Sequence, residues 1–179
     1  SFVLKNERMD MNLVSDAHSM ILPFWDFHNT HEGNYFRKPV SQLPTDCVFD
    51  LPATFRFDSG VFMTFTEANV VNHAGMYLKR NDTAFTSVLS PRLDRPELSV
   101  IAELPHKTPW RVFFVSDNVG DFVESNVLTT LCDPCVIEDT SWLKPGKTTF
   151  TWWCDNQIPE GNFQPGNNFN TNKYYIDFA

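Results

Sequence analysis

The run CVFDLPATFRFDSGVFMTFTEANV, residues 47–70, decides the fold. Phe55 and Phe57 alternate around Arg56, and Asp58, Ser59 and Gly60 follow as a tight turn. A second run then places Val61, Met63 and Phe65 on one face, with Phe62 and Thr64 on the other. Alternation with a period of two on both sides of such a turn predicts a β-hairpin. The same grammar continues outward in GMYLKRNDTAFTSVLS (75–90), LSVIAEL (98–104) and PWRVFFVSD (109–117). In the last of these, Val112, Phe114 and Ser116 oppose Phe113 and Val115. No apolar stripe of helical period is sustained before residue 120. The first two-thirds of the chain therefore predicts a mainly β fold, an antiparallel β-sandwich.

Near Gly120 the pattern changes. DFVESNVLTTL (121–131) fits a short helical turn or an extended linker, and SWLKPGK (141–147) is a loop with a Pro-Gly stop. TTFTWWCD (148–155) is β-branched and aromatic, which predicts one more strand. A Gly/Pro/Asn-rich loop follows, and then NFNTNKYYIDFA (168–179). Asn170 or Thr171 is expected to cap a helix there, with Tyr174, Tyr175 and Phe178 on one face. Strand, loop and helix in succession open a β/α unit and do not continue a sandwich. The expected division is 1–141 for the sandwich and 142–179 for a linker and a first strand–helix unit.

Composition narrows the functions available. The 179 residues suffice for one domain, or one domain and a piece of another. Seventeen Phe and five Trp favour sheets over helical bundles. A net charge of −8 disfavours nucleic acid and anionic membranes as partners, because both select a basic face. No apolar run approaches the ~20 residues needed to span a bilayer. The opening SFVLKNERMD carries no signal-peptide core and starts mid-pattern, as if an earlier segment were missing.

Cys132 and Cys135 have C-x-x-C spacing in CDPC, but neither a strand–helix context nor a second ligand pair accompanies them. Small buried or loop cysteines are the plainer reading. NDT at Asn81 is a glycosylation sequon by pattern alone. The histidines at 18, 28, 31, 73 and 106 share no spacing with Asp or Ser that would mark a triad.

Four segments in order resemble glycoside hydrolase family 97, the bacterial α-glucosidases and α-galactosidases. They are EGNYFRKPVSQL (32–43), FTEANVVNHAGMYL (65–78), TPWRVFFV (108–115) and DTSWLKPGKTTFTWWCD (139–155). The closing YYIDFA is similar to that family's first barrel helix. The resemblance implies a galactose-mutarotase-like super-sandwich leading into a catalytic (β/α)8 barrel and then a small C-terminal β-domain. A barrel needs eight strand–helix units over ~250 residues. The expectation is therefore a sandwich plus the start of a truncated barrel, with the remaining barrel and the C-terminal domain as missing partners. The implied location is periplasmic or secreted, and the implied substrate an α-linked glucoside or galactoside.

Glycoside hydrolysis needs two carboxyl groups flanking the scissile bond. The resemblance places both on later barrel strands, so no catalytic residue is expected in this chain. It also implies that Glu67 reaches from the sandwich into the barrel site and ligates calcium, a hard cation that takes six to eight oxygens. The competing expectation for Glu67 is a strand-edge carboxylate paired with arginine or water. Beyond it the family has an Asp-Tyr-Pro-Gly-like run, whereas this chain has Asn72, His73, Ala74 and Gly75.

Trp152, Trp153 and Asp155 fall at the C-terminal end of the expected barrel strand, the face where such barrels bind substrate. One tryptophan is expected against a sugar ring and the other in the helix layer, the alternative being barrel-core and interlayer packing for both. Cys154 stands where the family usually has asparagine. Arg111 in TPWRV is expected to anchor a carboxylate. The rival to a hydrolase segment is a non-catalytic carbohydrate-binding or interaction β-sandwich, for which a strand–helix tail has no use.

Overall fold

The computed structural model describes residues 1–158 and 162–178, without the side chains of Trp153 and Cys154. The chain forms two compact units, Ser1–Pro134 and Cys135–Ala179. Strands in the first are β1 (Phe2–Leu4), β2 (Asp10–Asn12), β3 (His18–Ile21), β4 (Pro23–Phe24), β5 (Phe36–Pro39) and β6 (Val48–Phe49). They continue with β7 (Ala53–Arg56), β8 (Phe62–Ala68), β9 (Met76–Asn81), β10 (Ala84–Leu89), β11 (Val100–Ala102) and β12 (Trp110–Ser116).

Two five-stranded sheets, ordered β2-β10-β9-β6-β4 and β12-β8-β7-β3-β5, are antiparallel throughout, and β1-β11 forms a separate ribbon. Both sheets feed one core. Met11, Phe49, Leu78 and Phe85 come from the first, and Ile21, Ala53, Phe55 and Phe65 from the second. Phe85 is fully buried and meets Phe49 at 6.0 Å and Phe55 at 5.3 Å between ring centroids. Large aromatic rings in offset or edge contact fill the space between two twisted sheets with few atoms left unpaired. The strand β10 shows the alternation plainly, since every second residue is buried.

The predicted hairpin is β7–β8, with Ala53 opposite Phe65 and Arg56 opposite Phe62. Gly60 carries the turn at φ 87°, a value that L side chains rarely adopt. Two short helices, α1 (Gly120–Glu124) and α2 (Val127–Leu131), follow β12. This is the helical alternative for 121–131.

The second unit corrects the expectation of a strand at 148–155. Thr151–Cys154 is a 3₁₀ turn, closed where the Asp155 N–H reaches Thr151 O and Trp152 O. Among the described residues of this unit there is no strand at all. A strand must pair its backbone groups with a neighbour. Without one, local i→i+3 bonds satisfy the same groups, and alternation of Trp152 and Trp153 across a sheet does not apply. The helix is present as α3 (Phe169–Phe178), but its cap lies earlier than expected. Asn168 Oδ1 accepts the Thr171 N–H at 3.0 Å, and the Thr171 hydroxyl accepts the Gly166 N–H at 3.1 Å. Thr171 is therefore buried inside the first turn instead of capping it.

Candidate functional site

The site grows from the register of β8 against β12. Arg111 sits directly opposite Glu67, one register pair along the same face from Phe113 and Phe65. The ring pair stacks at 4.6 Å between centroids. Phe65 lies in the core, and two residues further along the same face Glu67 and Arg111 meet largely sheltered from water. The Arg111 Nη1 donates to Glu67 Oε1, and the Met76 N–H donates to Glu67 Oε2 at 2.8 Å. One carboxylate thus ties β12 to β8 and also pins the start of β9.

The other edge of the guanidinium holds a second acid. Arg111 Nε donates to Glu7 Oε1 at 2.9 Å and Nη2 to Glu7 Oε2 at 2.8 Å. Such a planar, bidentate fit is what arginine offers and lysine does not. Burial alone would raise the Glu7 pKa, but the bonds and charge of Arg111, with help from His73, hold it below the ordinary value.

The His73 side chain has no exposed surface. Its Nε2 stands 3.5 Å from Glu7 Oε2 without hydrogen-bond geometry, a contact that is ionic only when the imidazole is protonated. Its Nδ1 lies 3.1 Å from His106 Nε2, with the two rings stacked. Burial pushes the His73 pKa down, and Glu7 only partly offsets this. The loop that carries His73 turns on Asn69 and Asn72, both at positive φ, and Asn tolerates that conformation better than most residues.

Two concavities flank this cluster. One of about 680 Å³ runs past His73, His106, Ser90 and Arg92. The other, about 370 Å³, is where Glu67 is found, together with Thr66, Met76, Tyr77, Asp50 and His31. His31 Nδ1 lies 2.6 Å from Asp50 Oδ2.

The expected anchoring of a carboxylate by Arg111 is present, and doubly so. Glu67 takes the arginine partnership that was the alternative to a metal. Among the described residues, no three His, Cys, Asp or Glu are grouped to hold a metal ion. In the second unit, Trp152 is 61% exposed, with its ring 5.9 Å from Phe150. Asp155 takes a left-handed conformation at the end of the 3₁₀ turn and is exposed. The side chain of Trp153 lies outside the described residues. Glu7, His73 and the His31–Asp50 pair were not singled out from sequence. The one available signal was Arg111 itself, whose five donors are rarely satisfied by a single acid. Cys132 and Cys135 are both exposed and free of disulfides.

Fold and cleft together define an antiparallel β-sandwich domain with a carboxylate–arginine cluster at the end of one sheet. Residues 1–134 match the family model described as Glycosyl-hydrolase 97 N-terminal. The chain therefore belongs to glycoside hydrolase family 97.

Among curated relatives, it is 30% identical over 171 residues to the "Retaining alpha-galactosidase" of Bacteroides thetaiotaomicron, covering 86% of this chain and 26% of that protein. It is 32% identical over 160 residues to the "Probable retaining alpha-galactosidase" of Streptomyces bingchenggensis, covering 86% of this chain and 22% of that one. A solved family 97 enzyme from Pseudoalteromonas sp. strain K8, in complex with acarbose, superposes with a TM-score of 0.80 at 27% identity. That match covers 99% of this chain and 27% of the solved one. A variant of the same enzyme in complex with panose gives 0.77 at 27% identity, over 95% and 26% of the two chains. The chain thus spans about a quarter of the length of the relatives it matches. No helix among the described residues is long and apolar enough to cross a membrane.

Proposed function

We propose that this chain supplies the sandwich, and the segment leading into the barrel, of an exported hydrolase of α-galactosides, with α-glucosides as the second substrate class. The observation that carries this is the family match over 1–134, joined to relatives named as retaining α-galactosidases. Glu7 and Glu67 do not form an acid–base pair. A retaining mechanism asks one carboxyl to hold a proton, and both of these are committed to Arg111. The reacting carboxylates are expected from outside these 179 residues, and the tail at 142–179 is the proposed approach to them.

Glu67 is the proposed calcium ligand. Its oxygens are hard donors, and an ionised carboxylate retains free lone pairs after accepting one hydrogen bond at each oxygen. Arg111 and the Met76 N–H fix the orientation of the side chain. One carboxylate falls far short of six to eight ligands, so the remaining oxygens must come from elsewhere in the assembled enzyme. Bound there, calcium acts as a Lewis acid and electrostatic stabiliser. Trp152, Trp153 and Asp155 are proposed as sugar contacts in the same assembled state.

A graft tests the proposal. Residues 1–134 replace the matching segment of the Bacteroides α-galactosidase, and turnover of an aryl α-galactoside is measured against calcium concentration. The expected result is a folded chimera with calcium-dependent turnover that Glu67→Gln abolishes. A folded chimera that hydrolyses neither α-galactoside nor α-glucoside sinks the proposal, and one that only binds sugar favours the non-catalytic sandwich.

A further inference from the structure

The Glu67 cleft contains a second polar group with no role in the arginine cluster. His31 is gripped on several sides. Its Nδ1 faces Asp50 Oδ2 at 2.6 Å, and its ring stacks on Tyr77 at 6.1 Å and meets Phe24 edge-on at 5.8 Å. Its own N–H donates to Asn29 Oδ1 at 2.9 Å, which stabilises a left-handed backbone at φ 56°. Asp50 is fixed in turn, since its Oδ1 accepts the Leu51 N–H at 2.8 Å. Tyr77 is wedged between His31 and the edge of Phe27, whose centroid is 5.2 Å away.

All this positioning surrounds a side chain that is still 57% exposed. Core packing does not explain an exposed imidazole, and a solvated surface pair does not need a strained backbone and two aromatic neighbours to hold it. With Nδ1 turned to Asp50, Nε2 is the ring nitrogen left for the cleft, and the Tyr77 hydroxyl lies 3.5 Å from it, at the long limit of a hydrogen bond. An imidazole nitrogen and a phenol hydroxyl side by side in a cleft match the vicinal hydroxyls of a pyranose.

We infer that His31 and Tyr77, oriented by Asp50, form a sugar-hydroxyl subsite on the sandwich, facing the same cleft as Glu67. The inference rests on the hydrolase reading and adds to it a specificity contact from the sandwich. The hydroxyl binds to Nε2 and Tyr77 Oη without proton transfer, so no bond of the sugar is made or broken here.

The test uses this chain, ¹⁵N-labelled, titrated with methyl α-galactoside while the imidazole nitrogens are observed by NMR. A saturable shift of the His31 Nε2 resonance in the millimolar range is expected. His31→Asn, chosen because Asn also tolerates positive φ, should weaken the binding about tenfold, the value of one hydrogen bond. Tyr77→Phe should weaken it less. Sugar-induced shifts confined to other residues overturn the subsite and leave the hydrolase reading intact. An absence of shifts anywhere overturns the subsite as well, while the graft experiment decides the hydrolase reading by itself.

Discussion

Arg111 and Glu7 meet fork to fork, at 2.9 and 2.8 Å, across 104 residues of sequence. The same guanidinium holds Glu67 with its third nitrogen. One cation thus stands between two acids, and the three side chains lock the N-terminal segment, β8 and β12 into one junction.

Because Arg111 is only 13% exposed, its removal leaves two carboxylates facing each other with little water to separate them. Arg111→Met should cost about 3 kcal/mol of unfolding free energy. Arg111→Lys should recover only part of it, since a point charge cannot make the paired bonds. Urea unfolding of the two variants measures this. In a double-mutant cycle, Glu7→Gln with Arg111→Met should cost less than the sum of the single changes.

Acid should destabilise the domain in two stages. The folded pKa of His73 is lowered by burial, so below its ordinary 6.5 the unfolded chain binds the proton first and stability falls. Burial of Glu7 is outweighed by Arg111, so its folded pKa is also lowered. Below 4.5 the same sign applies, and its contribution is lost as pH drops through the folded value. The urea midpoint should decline from pH 6.5 downward, and His73→Phe should flatten the first stage alone. A wild-type midpoint that rises on acidification would contradict both.

Thiol labelling should separate the cysteines. Cys47 is buried, and burial together with the charge of Asp46 pushes its pKa up to about 11. The thiolate is the reactive form, so Cys47 should stay silent toward a disulfide reagent at neutral pH until the protein is unfolded. Cys132 and Cys135 are exposed and should react in the native state. A Cys154→Ser background keeps the count unambiguous. Native-state labelling of Cys47 at the rate of the other two would refute the buried assignment.

Phe85→Ala should be the harshest core change, at about 3–5 kcal/mol, because the ring bridges both sheets and leaves a cavity neither can close. Thermal unfolding of the variant measures the loss.

The hairpin was legible because everything that specifies it is local: alternation on either side and a glycine where the turn needs positive φ. Arg111 was legible as an anchor, since an arginine between apolar strand positions requires an acid. Its partner Glu7 was not, because nothing in the run KNER distinguishes a buried fork from a solvated face. TTFTWWCD was misread for the opposite reason. Its residue types suit a strand, but a strand also requires a neighbour to pair with, and propensity says nothing about that. The helix cap moved from Asn170 or Thr171 to Asn168 for want of one observation, the buried Thr171 hydroxyl turned back on Gly166.

The N-terminal segment is stitched into place almost entirely by residues far downstream. Ser87 bonds Glu7 O and the Met9 N–H, Leu89 bonds Asn6, Ser99 bonds Lys5 O, and Arg111 clasps Glu7. On a ribosome, where chains grow at about 5–20 residues per second, residues 2–12 therefore wait on the order of ten seconds for their partners. During that interval β1 and β2 are unpaired strand edges, open to mispairing with other nascent chains. The asparagine, glutamate, arginine and aspartate that punctuate them keep the waiting segment soluble until the second half of the sandwich arrives.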